Sequence, residues 1–167
     1  MISNNTFNIK RLRSIVFIGY SKVYKELIDI NTNLGIDSKI ITSTDQSKTI
    51  KQEYKIFDKI DDNFYSYIKQ NFKIEETLFI SLGSRLIFNS EAVEFFKNNL
   101  INFHGTRLPY DSGGGGFSWK IMRQDRIDNQ LVHVIDSGID TGPIIHYQSS
   151  IYPKDCIIPL DFENYSL

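Results

Sequence analysis

The chain has 167 residues, of which 41% are hydrophobic and 23% charged, the balance of one soluble globular domain able to bury a core. Nineteen Lys and Arg against twenty Asp and Glu leave a net charge of -1, without the cationic surplus by which nucleic-acid binders displace counterions. The one cysteine, Cys156, excludes an internal disulfide and a multi-thiolate metal centre.

No run approaches the roughly 20 apolar residues of a membrane span. The start, Met1-Ile2-Ser3-Asn4-Asn5, shows no secretory signal, so the expectation is a cytoplasmic single-domain protein. Residues 14–19, Ser14-Ile15-Val16-Phe17-Ile18-Gly19, form an apolar run closed by glycine and predict a strand buried on both faces. Ser21 is placed to cap a helix carrying Val23, Tyr24, Leu27, Ile28 and Ile30 at helical spacing. Gly35 stops it, and residues 38–42 predict a second strand, completing a βαβ unit. Residues 43–60 are polar and carry no clear period. From Asp62, the positions Phe64, Tyr65, Ile68 and Phe72 predict a helix. Residues 77–83 predict a third buried strand, and Ser90 caps a helix with Val93, Phe95 and Phe96. Residues 100–104 predict another strand, which runs into polar residues and then the glycine cluster Gly113–Gly116. A short helix over 117–122 follows, then strands over 130–135 and 143–147 around the loop Asp136-Ser137-Gly138-Ile139-Asp140-Thr141-Gly142. The tail from Tyr152, with Pro153 and Pro159, predicts no element. The alternation predicts an α/β fold: a single Rossmann-like open twisted sheet, mostly parallel, with helices on both faces and chemistry at the strands' carboxyl ends.

Asn102 and His104 sit two apart on one strand, so their side chains share a face. An imidazole beside an amide suits acyl transfer, one moving protons and the other donating to a developing oxyanion. The second cluster, Asp136-x-Gly138-x-Asp140-Thr141-Gly142, offers aspartates able to orient a histidine on a tight loop. Four consecutive glycines, Gly113–Gly116, are followed by Phe117-Ser118-Trp119 and not by the Lys-Ser or Lys-Thr of a phosphate loop. Gly19-Tyr20-Ser21-Lys22 lacks the spaced glycines of a dinucleotide site. His133 and His146 lie in apolar runs and read as strand residues, and a metal site is not expected.

The segment Leu100-Ile101-Asn102-Phe103-His104-Gly105-Thr106-Arg107-Leu108-Pro109, with Asp136-Ser137-Gly138-Ile139-Asp140-Thr141-Gly142-Pro143 after it, resembles the formyltransferases that use 10-formyltetrahydrofolate. Asn102, His104 and Asp140 match that family's catalytic trio. The stretches 107–119 and 129–136 are most similar to N-formyltransferases acting on nucleotide-linked amino sugars, enzymes of surface-polysaccharide synthesis. Relatives that formylate glycinamide ribonucleotide carry a Gly-rich phosphate loop after the first strand, and those that formylate methionyl-tRNA carry Ser-Leu-Leu-Pro; this chain has neither.

The resemblance implies a 1–150 catalytic domain and a 151–167 tail shorter than in those enzymes. It implies that Asn102 steadies the oxyanion, His104 transfers protons and Asp140 holds the imidazole in one tautomer. It places the folate's pterin against Leu86-Ile87-Phe88, Gly114 and the Asp136-Ser137-Gly138-Ile139-Asp140 loop. It implies a nucleotide-linked amino sugar as partner, with no nucleic acid, no metal and no membrane span. Two alternatives stand beside it: a domain that binds folate or nucleotide sugar without turnover, and transfer to another amine such as glycinamide ribonucleotide. The apolar last strand, with no helix expected after it, predicts self-association.

Overall fold

Runs of β-branched and aromatic residues make the sheet. In the computed structural model, which describes residues 9–113 and 116–166, the strands are β1 (Ser14–Gly19), β2 (Asp37–Thr42), β3 (Lys55–Ile56), β4 (Thr77–Leu82), β5 (Leu100–His104), β6 (Ile127–Val134) and β7 (Ile144–Ile151). Their order across the sheet is β3-β2-β1-β4-β5-β6-β7. The first five are parallel, while β6 and β7 form an antiparallel hairpin on the β5 side. The order reverses beside β1, with β2 on one side and β4 on the other, and ligands of open α/β sheets enter at such a switch.

The helices are α1 (Tyr24–Asn33), α2 (Asp62–Asn71), α3 (Ser90–Phe96), α4 (Gly116–Met122) and α5 (Pro159–Ser166). Alternation along the strands sorts two cores. Ile15, Phe17, Ile40, Ile80 and Ile101 face α1 through Tyr24, Leu27 and Ile28. Val16, Ile18, Ile41, Phe79 and Leu100 face α2 and α3 through Phe64, Ile68, Ala92 and Phe96. Each such side chain stabilises the fold by about 1.5–3 kcal/mol through burial; Phe79 and Phe96 add a ring contact at 4.5 Å between centroids. Helices thus cover both faces, as the alternation predicts.

Several local expectations need correction. The third helix is capped by Asn89, whose side-chain oxygen accepts from Ala92 N at 2.9 Å, and Ser90 is the first helical residue. Ser21 does not cap α1 directly; its hydroxyl accepts from Val23 N at 3.3 Å, one step before the helix. The unassigned 43–60 stretch holds a short 3-10 turn, Ser47–Thr49, and the two-residue β3. Above all, the tail is not structureless. Pro159 stands in the first turn of α5, where its missing N–H costs nothing, and the Asp161 carboxylate accepts from Ile157 N and Ile158 N, both at 2.9 Å. Phe162 of α5 then buries beside Tyr152 and Cys156, against Phe117 and Ile121. The last strand still runs exposed along the sheet edge, with Ile144, Ile145, Tyr147 and Ile151 in solvent.

Candidate functional site

The carboxyl ends of β1, β4 and β5 lie side by side. Gly19 makes the closest approach possible: at φ 116 it lies in the region that favours glycine, and a Cβ there would sit 2.3 Å from Leu82 O. Asn102 and His104 project from β5 to the α2/α3 face, with Leu100, while Phe103 turns to the α1 face. On β6, His133 stands directly opposite Asn102, and paired residues of an antiparallel ladder share a face. The loop between β6 and β7 returns Asp140 to the same point, with its backbone at φ 55.

The polar groups converge. Asp140 lies between two imidazoles, with Oδ2 3.8 Å from His104 Nε2 and Oδ1 3.5 Å from His133 Nε2. Gly113 N donates to Asp140 Oδ2 at 2.8 Å. His133 is buried, and its Nδ1 is 2.9 Å from Val134 O. A carbonyl only accepts, so Nδ1 carries a proton, and in the neutral ring Nε2 presents a lone pair. That lone pair faces Asn102 Nδ2 at 3.1 Å, which orients the amide with its NH2 group toward His133. The His104 Nε2 contacts are Thr106 Oγ1 at 2.6 Å and Asp111 O at 3.3 Å. The sequence reading gave the anchoring of His104 to Asp140; the hydrogen bond is instead made by Thr106, since 3.8 Å is beyond hydrogen-bond distance.

Two cavities open here, on opposite faces of the sheet. One, of 520 Å³ on the α2/α3 face, is lined by Leu86, Ile87, Phe88, Asn102, Gly138, Ile139 and Asp140. The other, of 460 Å³ on the α1 face, lies over the β1–β4 switch and is bordered by Tyr20, Ser21, Lys22, Phe103, Gln130 and Glu163. Gly83, Phe103 and His104 line both.

The structure thus brings Asn102, His104 and Asp140 together, with Leu86, Ile87, Phe88, Gly138 and Ile139 around the first cavity. Asp136 and Ser137 do not line it: the Asp136 carboxylate is used inside the loop, accepting from Gly138 N at 3.1 Å and Thr141 Oγ1 at 2.6 Å. Gly114 lies outside the described residues. Sequence reasoning missed His133, which needed the β5–β6 register, and Thr106, two residues past His104. Among the described residues no set of three His, Cys, Asp or Glu side chains is placed to hold a metal ion.

No protein-family model matches the chain. Among curated proteins it is 24% identical over 144 residues to the methionyl-tRNA formyltransferase of Methylacidiphilum infernorum, covering 86% of this chain and 45% of that one. The chain spans less than half the length of the curated relatives matched first. Among solved structures, glycinamide ribonucleotide transformylase 1 of Symbiobacterium toebii superposes with a TM-score of 0.72 at 16% identity, over 93% of this chain and 80% of that one. The formyltransferase PseJ of Anoxybacillus kamchatkensis, solved with UDP-4,6-dideoxy-4-formamido-L-AltNAc and tetrahydrofolate, gives 0.65 at 24% identity, over 90% and 67%. The chain has the α/β fold of the formyltransferases and is similar to them in sequence.

Proposed function

We propose that this chain is the catalytic part of an N-formyltransferase that moves a formyl group from 10-formyltetrahydrofolate to the amine of a nucleotide-linked amino sugar. The observation that carries the reading is the meeting of two cavities at one imidazole. A two-substrate transfer needs donor and acceptor to reach one proton-handling group, and among the described residues His104 is the only titratable side chain lining both cavities.

The 520 Å³ cavity suits the donor. Its volume is in the range of small-molecule sites, and Leu86, Ile87, Phe88 and Ile139 give it apolar walls for a flat ring, beside the polar Asn102 and Asp140. When bound, the folate supplies a formyl group already activated on nitrogen. Asn102 has one N–H committed to His133 Nε2, and its second is left for the formyl oxygen as negative charge develops there. A preorganised donor of this kind contributes roughly 3–4 kcal/mol. His104 removes the proton that the attacking amine must lose and passes it to the folate nitrogen as that nitrogen's bond to the formyl carbon breaks, and the Asp140 carboxylate, 3.8 Å from the ring, balances the charge that the imidazole carries in between.

The 460 Å³ cavity suits the acceptor. Tyr20, Ser21, Lys22 and Gln130 offer hydroxyl, ammonium and amide groups for a sugar and its phosphates. The nucleotide-sugar ligand of PseJ and the likeness of 107–119 to the amino-sugar enzymes support that choice over other amines.

The test is a panel assay. The chain is incubated with 10-formyltetrahydrofolate and nucleotide-linked amino sugars, glycinamide ribonucleotide or methionyl-tRNA, and each product is weighed by mass spectrometry. Gain of one formyl group on an amino sugar supports the reading. Formylation of only the other amines, or folate binding with no product, overturns it.

A further inference from the structure

Thr106 has no part in the mechanism above, yet it makes the shortest hydrogen bond to His104. Its side chain is buried, with only 6% of the residue exposed. Its hydroxyl oxygen lies 2.6 Å from His104 Nε2 and 2.7 Å from Asp111 O. The hydroxyl has one proton, and a carbonyl cannot donate. The proton therefore goes to Asp111 O, and Oγ1 is left to accept from Nε2–H. The other hydrogen-bond partner of Nε2 agrees: Asp111 O at 3.3 Å is an acceptor too. Every group around this nitrogen calls for a proton on it. His104 Nδ1 has no hydrogen bond among the described residues.

We infer that Thr106 is a positioning residue for His104: its hydroxyl, locked on Asp111 O, holds the neutral ring as the Nε2–H tautomer and leaves Nδ1 as the lone pair that accepts the substrate's proton. In a neutral imidazole one nitrogen donates and the other accepts, so fixing Nε2–H fixes the base. The inference rests on the proposed function for the proton's source, but not for the tautomer.

The surroundings hold this hydroxyl in place. A Cβ on Gly116, the first residue of α4, would stand 2.1 Å from Thr106 Cγ2, so the glycine lets the helix start press directly on the threonine's methyl. Arg123, just beyond the same helix, pairs with the Asp111 carboxylate, and Asp111 N donates to Arg107 O at 2.8 Å. The hydroxyl's anchor is therefore held by Arg123 and by the Arg107 carbonyl, and the threonine's methyl by the start of α4.

The test reads the ring directly. Long-range proton–nitrogen NMR on the 15N-labelled full chain, with the His104→Gln variant identifying the signal, reports which nitrogen is protonated without any substrate. The expected result is Nε2–H in the native chain and in Thr106→Ser, and the Nδ1–H form appearing beside it in Thr106→Val, where only the longer contact to Asp111 O still favours Nε2–H. In turnover, Thr106→Val is expected to lower kcat by about 10–100-fold with KM unchanged, a part of what a positioned proton-transfer group contributes, and Thr106→Ser to restore it. A native spectrum showing Nδ1–H overturns the inference, as does a Thr106→Val chain with native tautomer and native kcat. Should the native chain transfer no formyl group, the proposed function fails while the spectrum still decides the role of Thr106.

Discussion

Replacing Asp140 with Asn isolates the charge of the site from its shape. The residue sits at φ 55, a conformation that Asn tolerates as well as Asp, and an amide oxygen can still accept from Gly113 N, now bonded at 2.8 Å. What disappears is one negative charge 3.8 Å from His104 Nε2, between side chains exposed by only 13% and 14%. At that separation an opposite charge on the ring is stabilised by roughly 4 kcal/mol, taking an effective dielectric of about 20. In the proposed mechanism the imidazole gains charge as it takes the amine's proton, so the loss falls on the transition state and not on binding. With water replacing part of the interaction, kcat is expected to fall by about 100–1000-fold, with both KM values near native. Rapid-quench turnover with formyl-folate and the amine identified by the panel assay measures kcat, and circular dichroism checks that the variant is folded. An Asp140→Asn chain that turns over at the native rate would refute the charge argument, and with it the role given to this carboxylate.

Other expectations concern stability and assembly. The Tyr24 hydroxyl is buried in the α1-side core with no hydrogen-bond partner among the described residues; Tyr24→Phe is expected to raise the unfolding free energy by up to about 1–3 kcal/mol, read by urea denaturation, and a loss would reveal a partner. Tyr152 donates its hydroxyl to Asp128 at 2.6 Å, and burial, then that bond, pushes its pKa well above the usual tyrosine value. A folded pKa raised above the unfolded one near 10 gives stability that is complete below about pH 10 and lost as pH climbs through the folded value. Thermal unfolding from pH 8 to 11 should show that decline, reduced in Tyr152→Phe; an unchanged slope would place its origin elsewhere, for instance at Tyr24, whose burial also raises its pKa. The exposed edge of β7, with Ile144, Ile145, Tyr147 and Ile151, is expected to make the chain self-associate, and sedimentation that finds only single chains at high concentration would refute this.

The strands were legible because β1, β4 and β5 are short apolar runs, and only a sheet covered on both faces uses such runs. The shared face of Asn102 and His104 was legible from the period of two. His133 was not, because its importance is a matter of register: it meets Asn102 only because β6 runs antiparallel to β5 with these two residues opposed, a pairing no local pattern contains. The same limit applies to Asp136, which looks like a ligand-binding carboxylate until the loop's own hydrogen bonds are seen to occupy it. Helix α5 escaped notice because Pro153 and Pro159 suggest a break and its single buried anchor, Phe162, finds its partners Phe117 and Tyr152 from outside the helix. The anchoring of His104 was attributed to the more conspicuous acid at 140, whereas the bond belongs to a threonine whose hydroxyl matters only through the position of Asp111 O.

The sheet itself separates the two halves of the proposed reaction. On the α2/α3 face the donor cavity is walled by the segment after β4 and the loop after β6, which also supplies Asp140. On the α1 face the acceptor cavity is walled by the turn after β1, by Gln130 and by α5. Only the ends of β4 and β5 are common to both, and there the proposed mechanism uses His104. Substitutions in the β1–α1 turn or in α5 can therefore reshape acceptor recognition without disturbing Asn102, His133 or Asp140. Lys22 illustrates how loosely that side is held: its ammonium meets Glu163 at 3.1 Å and Asn164 at 3.1 Å, and an exposed pair of this kind contributes at most about 1 kcal/mol. A phosphate entering the cavity can take over that cation at little cost, while the hydrogen-bonded cluster across the sheet stays as it is. On this reading His104 is held through Thr106, Asp111 O and the start of α4, whereas the acceptor's surroundings are held only by weak surface contacts.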